Sequence, residues 1–327
     1  MTKKKKVLVT GAGGFIGSHL TETLIARRYE VKAFVHYNSR NFWGWLESRK
    51  GKAGCEIIAG DVRDGDIVRQ AMRGVDMVFH LAALIGIPYS YHSPEAYVET
   101  NCRGTLNVLE AARDAGVKKV VITSTSEIYG TAQVVPIAES HPVNPQSPYA
   151  ATKAAADFLA LSFYRSLDLP LTIVRPFNTY GPRQSARAVV PTIITQIFQG
   201  KKAIRLGALS PTRDLTYVAD TVDGFILAGE SVETVGKIIN LGNNSETSVQ
   251  TLAELIAQCF GRKIKIVSEQ NRKRPQKSEV ERLVADYSKA KRMLGWTPEY
   301  SLEKGIRQTI AWFRQNKDIY KSDIYNI

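Results

Sequence analysis

Short apolar runs rich in valine and isoleucine alternate with longer stretches of helical period from the N-terminus onward. "KVLVTGAGG" (6–14) reads as a strand and a tight turn, "FIGSHLTETLIARR" (15–28) has helical period, and "EVKAFV" (30–35) is a second strand. "CEIIAGDV" (55–62), a helix over 64–73, "VDMVFHLA" (75–82) and a helix over 94–115 follow, then the strand that opens "VVITSTSEIYG" (120–130), a helix over 147–167 and "LPLTIVRP" (169–176). Strand-like runs separated by helical stretches of about 10–20 residues define βαβ units, hence a parallel sheet with helices on both faces. The pattern predicts an α/β, doubly wound Rossmann-type fold. After about residue 178 the rhythm breaks into short strands, turns and helices, while "RDLTYVADTVDGFILAG" (213–229) reads as a return to the main sheet. The expected division is a dinucleotide-binding domain over 1–178 with a returning segment at 213–238. A smaller, discontinuous substrate-binding lobe takes 179–212 and 239–316, and a polar tail takes 317–327.

Composition narrows the class. A chain of 327 residues with 44% hydrophobic and 23% charged residues has the make-up of a soluble globular protein. Its three cysteines, Cys55, Cys102 and Cys259, are widely spaced and odd in number, giving neither a disulfide framework nor a metal-ligand spacing. A cytoplasmic location and no metal are expected. The longest apolar-looking run, at 75–87, contains Asp76 and His80 and is too short to span a bilayer. The basic N-terminus runs into glycines and a helix instead of a cleavage site, so no signal peptide and no membrane partner are expected. The net charge of +13 is dispersed along the chain and comes without an RNA- or DNA-binding motif. It argues for a small anionic ligand over nucleic acid.

The glycine-rich turn Gly11-Ala12-Gly13-Gly14-Phe15-Ile16-Gly17 follows the first strand and opens a helix. Glycines there permit a tight turn, close approach of backbone N–H groups to a pyrophosphate and close packing of helix on strand. The G-x-x-G-x-x-G spacing resembles the extended short-chain dehydrogenases/reductases, the subgroup acting on nucleotide sugars. The second strand does not end in the acid that would grip an NAD ribose. It ends in "FVHYNSRN", where Asn38, Ser39 and Arg40 leave NAD and NADP both open, since Ser39 and Arg40 could accept a 2′-phosphate. The resemblance puts Asp61 and Val62 at the adenine and Leu81, Ala82 and Ala83 beside the cofactor. His80 reads as a strand-end histidine satisfied by backbone.

Tyr149-Ala150-Ala151-Thr152-Lys153 carries the strongest chemical signal. A spacing of four puts both side chains on one helix face, where an ammonium can stabilise a phenolate. The resemblance makes Tyr149 and Lys153 the catalytic pair and Thr125 the hydroxyl that binds the sugar O4. The triplet Thr125-Ser126-Glu127 resembles that of the family's nucleotide-sugar 4,6-dehydratases. Once C4 is a ketone, the C5 proton is acidic, and a carboxylate can remove it while the C6 hydroxyl leaves. The alternative for Glu127 is a turn-capping acid. The proton for the leaving hydroxyl comes from water held by Ser126 or from Glu127 itself.

"RPFNTYGPRQ" (175–184), "TRDLTYVAD" (212–220) and "RKRPQKSEVERLVADYSKAKRMLGW" (272–296) extend the resemblance over nearly the whole chain. It implies that Asn178 and Arg183 face the substrate, that Arg213 and Arg274 hold its diphosphate, that Val190 flanks the base, and that Tyr89 lies over the sugar. The alternative for Arg213 is an ion pair with Asp214 or Asp220, and for Tyr89 a surface loop. "NFWGWLE", "HLAALIGIPYSYHSP" and "RPFNTYGPRQSARAVVPTIITQ" resemble the GDP-N-acetylglucosamine 4,6-dehydratases of bacterial legionaminic acid pathways. The implied reaction is a redox-neutral dehydration of a nucleotide-diphospho-hexose on a tightly held NAD, or NADP, in a homodimer or homotetramer. A nucleotide-sugar 4-epimerase is the alternative within the fold. A catalytically inactive dinucleotide-sensing or RNA-binding relative is the alternative from another class.

Overall fold

The computed structural model describes residues 4–49, 54–272 and 274–320. The last residues of the expected tail, 321–327, lie outside the described residues. Seven strands form one parallel sheet: β1 (Lys6–Thr10), β2 (Glu30–His36), β3 (Cys55–Gly60), β4 (Met77–His80), β5 (Lys119–Thr123), β6 (Leu171–Pro176) and β7 (Ile238–Leu241). Their order is β7-β6-β5-β4-β1-β2-β3. Both faces are covered, which explains why these strands read as continuous apolar runs. On β1, Val7 and Val9 pack toward Leu20 and Leu24 of α1 (Phe15–Ala26), while Leu8 between them joins the opposite core. That second core contains Val68 and Met72 of α2 (Gly65–Met72), Val108 and Leu109 of α3 (Gly104–Asp114), and Ala160 and Phe163 of α4 (Pro148–Leu167). Burying each such Val, Leu or Phe contributes roughly 1.5–3 kcal/mol.

The strand order reverses between β1 and β4, where Thr10 pairs with His80 in register. A crevice forms outside the carboxyl ends of the strands at such a switch point. Three small sheets stand beside it. Asn178–Tyr180 pairs with Leu215–Tyr217. Thr212–Arg213 lies between Thr247–Ser248 and Arg282–Leu283. Ala203–Leu206 pairs with Lys265–Ser268.

The returning segment differs from the sequence expectation. Residues 213–217 belong to two of the small sheets, and α5 (Val218–Glu230) packs its Val222 and Phe225 into the first core. The strand that rejoins the main sheet is β7, most of which was expected in the lobe. The helix expected over 94–115 is interrupted: a π-helical turn, Val98–Arg103, joins Pro94–Tyr97 to α3. Its Asn101 side chain reaches out to the Leu84 backbone at both N–H (2.8 Å) and carbonyl (3.0 Å), and to Thr152 Oγ1 at 3.1 Å. Part of the expected tail is packed: Tyr320 stacks on Phe313 and donates to the Gln184 carbonyl at 2.7 Å. No helix among the described residues is long and apolar enough to cross a membrane.

Asp214 ties the small sheets to the end of β7. Fully buried, it accepts backbone N–H bonds from Asn243 (2.7 Å), Asn244 (2.8 Å) and Ala285 (3.0 Å). Burial pushes its carboxyl up to about 6, against the pull of those N–H groups. A hydrogen bond to a charged group is worth about 1.5–3 kcal/mol, so Asp214→Ala should lower unfolding stability in urea by at least about 3 kcal/mol. A loss below about 1 kcal/mol would show that the clamp is dispensable.

Candidate active site

A cavity of about 1100 Å³ opens along the carboxyl ends of the strands. It exceeds the roughly 300–1,000 Å³ of ordinary ligand pockets. Gly11, Gly13, Gly14, Phe15, Ile16 and Gly17 line one end. Gly11 has φ +69°, and a Cβ there would sit 2.8 Å from Ala82 N. A Cβ on Gly17 would sit 2.2 Å from Gly11 O, and one on Gly13 would sit 2.6 Å from Trp43 O. Gly14 caps α1 without a side-chain hydrogen bond, so the first turn keeps its N–H groups available for an anion. Sequence reasoning missed the loop that roofs this turn: Phe42, Trp43 and Gly44 line the cavity, and Trp45 N donates to Gly13 O at 3.0 Å.

Asn38 lines the cavity, but its amide is spent locally on the backbone of His36, Arg40 and Phe42. Ser39 and Arg40 are exposed and lie outside the lining. His36 and Arg63 line the wall instead. Asp61 and Val62 line the cavity, and the Arg63 guanidinium, 2.6 Å from Asp61 Oδ2, holds that carboxyl below the usual carboxylate range. Leu81, Ala82 and Ala83 also line the cavity. His80 is satisfied by hydroxyls and not by backbone: Nδ1 is 2.8 Å from Thr10 Oγ1 and Nε2 is 3.0 Å from Thr105 Oγ1. Burial drops its pKa to about 3, so the ring is neutral at physiological pH.

Tyr149, Lys153 and Asp157 follow one another at four-residue steps on the buried face of α4. Lys153 Nζ donates to the Thr123 carbonyl at 2.6 Å, so its bond goes to the end of β5 and not straight to the phenol. Burial pushes the Tyr149 phenol well above its ordinary value, a hydrogen bond with Thr125 opposes this, and the charges of Glu127 and Asp157 add to it. A cation near the phenol would reverse that balance. Asp157 accepts from Ser124 Oγ at 2.8 Å and from Arg175 at 3.0 and 3.1 Å. Thr125, Ser126 and Glu127 line the cavity where β5 ends. Thr125 caps the short 3₁₀ turn Ser126–Tyr129, accepting from Glu127 N at 3.2 Å, so the backbone of Glu127 is capped while its carboxylate stays on the wall.

The far end of the cavity carries Asn178, Val190, Arg213 and Arg274. Arg213 pairs with Glu279 at 3.2 Å and donates to the Thr212 and Val280 carbonyls. Neither Asp214 nor Asp220 takes it, since each is occupied by backbone N–H groups. Arg183 is a correction: with φ 71° it turns back to α1, 2.9 Å from Glu22 and 3.1 Å from Ser18 Oγ, and it does not line the cavity. Gln184, Ser185 and Arg187 do. Tyr89 is a second correction, 41% exposed and outside the lining, its ring 6.3 Å from that of Tyr97. Ile85, Ile87 and Pro88 supply that wall, and Tyr91 bonds Ser278 outside the lining. Glu279 went unread in the sequence, although it stands only five residues after Arg274. No group of three or more His, Cys, Asp or Glu side chains among the described residues is placed to hold a metal ion.

The doubly wound sheet, the glycine cradle and the Tyr-x-x-x-Lys helix together define a dinucleotide-dependent enzyme fold of the extended short-chain dehydrogenase/reductase type. The chain belongs to the family described as GDP-mannose 4,6 dehydratase, whose model matches residues 8–309. It is 36% identical over 315 residues to a UDP-glucose 4-epimerase of Mycolicibacterium smegmatis, covering 94% of this chain and 98% of that one. A dTDP-glucose 4,6-dehydratase from Streptomyces venezuelae, solved with NAD bound, superposes with TM-score 0.86 at 30% identity over 97% of this chain and 99% of that one. A UDP-glucuronic acid 4-epimerase from Bacillus cereus, solved with UDP-glucuronic acid and NAD, gives TM-score 0.88 at 29% identity over 95% and 99%. Dehydratases and epimerases thus share this scaffold.

The close approach at Gly17 yields a direct test of the cradle. Gly17→Ala places a methyl against Gly11 O and must lift α1 from β1. Calorimetric titration with NAD should show affinity reduced at least about tenfold, a loss of roughly 1.4 kcal/mol, with the far-ultraviolet circular dichroism retained. Unchanged affinity would remove the glycine turn from the binding site.

Proposed function

We propose that the protein is a nucleotide-sugar 4,6-dehydratase using NAD, with GDP-N-acetylglucosamine as its substrate. The observation that carries this reading is the Glu127 carboxylate, which lines the cavity two residues from Thr125 and adds its charge at Tyr149. An epimerase needs no acid there, because it never removes the C5 proton.

The residues present fit NAD: Gly11, Gly13 and Gly17 allow the backbone of the turn, the Trp43 loop and the end of β4 to close up where any Cβ would collide with backbone, and this close-packed turn lines the cavity as a pyrophosphate needs. Gly14, Phe15 and Ile16 would face the phosphates, Asp61 and Val62 the adenine, and Leu81 to Ala83 the nicotinamide side, with Lys153 on the same cavity lining. Ser39 and Arg40 lie outside the cavity lining, which favours NAD over NADP. When bound, NAD supplies a reversible hydride acceptor that takes the C4 hydrogen and gives it back at C6. Thr125 hydrogen-bonds the sugar O4 while Tyr149 takes its proton, the positive nicotinamide and the buried Lys153 offsetting the burial that otherwise holds the phenol protonated. Glu127 then takes the C5 proton and the C6–O bond breaks, the hydroxyl leaving as water with a proton from Glu127 itself or from water held by Ser126. A solvent proton restores C5, and with the hydride that NAD would return to C6 the sequence is redox-neutral and ends in a 4-keto-6-deoxy sugar nucleotide. Arg213 and Arg274 suit the diphosphate because the planar guanidinium pairs bidentately with phosphate oxygens.

The test is mass spectrometry of products from a panel of GDP-, UDP- and dTDP-hexoses incubated with the NAD-loaded enzyme. GDP-N-acetylglucosamine should turn over best with loss of one water. Preference for a UDP- or dTDP-sugar would overturn the substrate while keeping the class, and products of unchanged mass would point to the epimerase. Loss of carbon dioxide from a uronic acid substrate would replace dehydration by decarboxylation.

A further inference from the structure

Arg274 stands between two acids. Its Nη1 lies 3.8 Å from Glu127 Oε2 and 4.0 Å from Glu279 Oε1. That nitrogen is buried and has no hydrogen-bond partner among the described residues. Glu279 in turn takes a 3.2 Å bond from Arg213 Nη2. Two acids and two arginines therefore cluster on the cavity wall, Arg274 between Glu127 and Glu279, with the Glu127 charge also acting on Arg213.

The two arginines are held differently. Arg213 is fixed by the Thr212 and Val280 carbonyls as well as by Glu279, at hydrogen-bonding distances of 2.7–3.2 Å. Arg274 Nη1 sits beyond hydrogen-bonding distance of both acids, so this contact is held by charge and not by directed bonds. A shift toward either acid, or toward an incoming anion, breaks no hydrogen bond at that nitrogen.

We infer that Arg274 is a positioning residue for Glu127, linking engagement of the substrate's diphosphate to placement of the carboxylate that acts on the sugar. The inference rests on the dehydratase reading. An anion that draws the guanidinium along the wall changes the ion pair that Glu127 makes with Arg274, so the acid settles against C5 only when the nucleotide end is seated. Binding energy from a part of the substrate that does not react is thereby used at the reacting carbon. A simple phosphate contact would act in ground and transition states alike and appear in KM alone.

The experiment pairs steady-state kinetics over a range of nucleotide-sugar concentrations, which give KM and turnover, with a single turnover of the NAD-loaded enzyme at saturating nucleotide sugar, following reduced-nicotinamide absorbance and quenching for mass analysis. Glu127→Gln sets the reference: reduced nicotinamide builds up with a 4-keto hexose that keeps its C6 oxygen. Arg274→Ala should raise KM, slow turnover about 10- to 100-fold as a misplaced group does, and show the same build-up. Glu279→Gln, which spares the Glu127–Arg274 pair, should raise KM without build-up. Arg274→Lys serves if the alanine variant does not fold: a single ammonium cannot reproduce the fork between two acids, and the build-up should persist at lower amplitude. A raised KM with no build-up in either Arg274 variant reduces the residue to a phosphate contact and overturns the inference. Build-up in Glu279→Gln equal to that in Arg274→Ala overturns it too, as a general disturbance of the loop. Absence of build-up in Glu127→Gln itself fails the dehydratase reading first, and the inference with it.

Discussion

The carboxylate of Asp157, 2% exposed, joins three elements that each contribute to the chemistry. Ser124 at the end of β5 donates to it at 2.8 Å, Arg175 on β6 donates through two nitrogens, and Lys153 lies one turn away on α4. Burial pushes the Asp157 carboxyl up and the Lys153 ammonium down, and each charge opposes the other's shift. An unpaired ion in such a place would cost several kcal/mol, so the cluster persists because it is paired. Arg175 also donates to Tyr129 Oη at 2.8 Å, and Tyr129 closes the short turn that begins at Ser126. The placement of Tyr149, Lys153 and Glu127 thus traces back to one buried ion pair between a helix and a strand.

Much of this was legible in the chain because it is local. The βαβ rhythm, the glycine turn and the four-residue step from Tyr149 to Lys153 are each written within about 20 consecutive residues, the range over which periodicity carries information. What escaped is what depends on distant partners. The strand Ile238–Leu241 joins the sheet through pairing with β6, a partner more than 60 positions earlier that its own residues do not reveal. Arg183 looked like a substrate contact until its positive φ turned it onto Glu22, more than 150 positions earlier in the chain. Trp43 also meets Gly13, and Glu279 meets Arg213, across separations longer than a local pattern reports. His80 was expected to lean on backbone, whereas the hydroxyls of Thr10 and Thr105 hold it.

The relatives show why fold alone leaves the reaction open. A dehydratase and an epimerase superpose on this chain almost equally well, with TM-scores of 0.86 and 0.88. Oxidation at C4 asks the same of the scaffold in both cases, and the fates diverge only at C5 and C6. A carboxylate at that point, on a turn capped by Thr125 and facing a guanidinium, is the local feature that separates the two outcomes in the present account.

The fate of the C4 hydrogen tests that account most directly. A nucleotide sugar carrying deuterium at C4 should yield, after turnover by the NAD-loaded protein, a 4-keto-6-deoxy product with the deuterium at C6, read by NMR. Deuterium returned to C4 in a product that has kept its C6 oxygen would contradict the account and assign the protein to epimerisation.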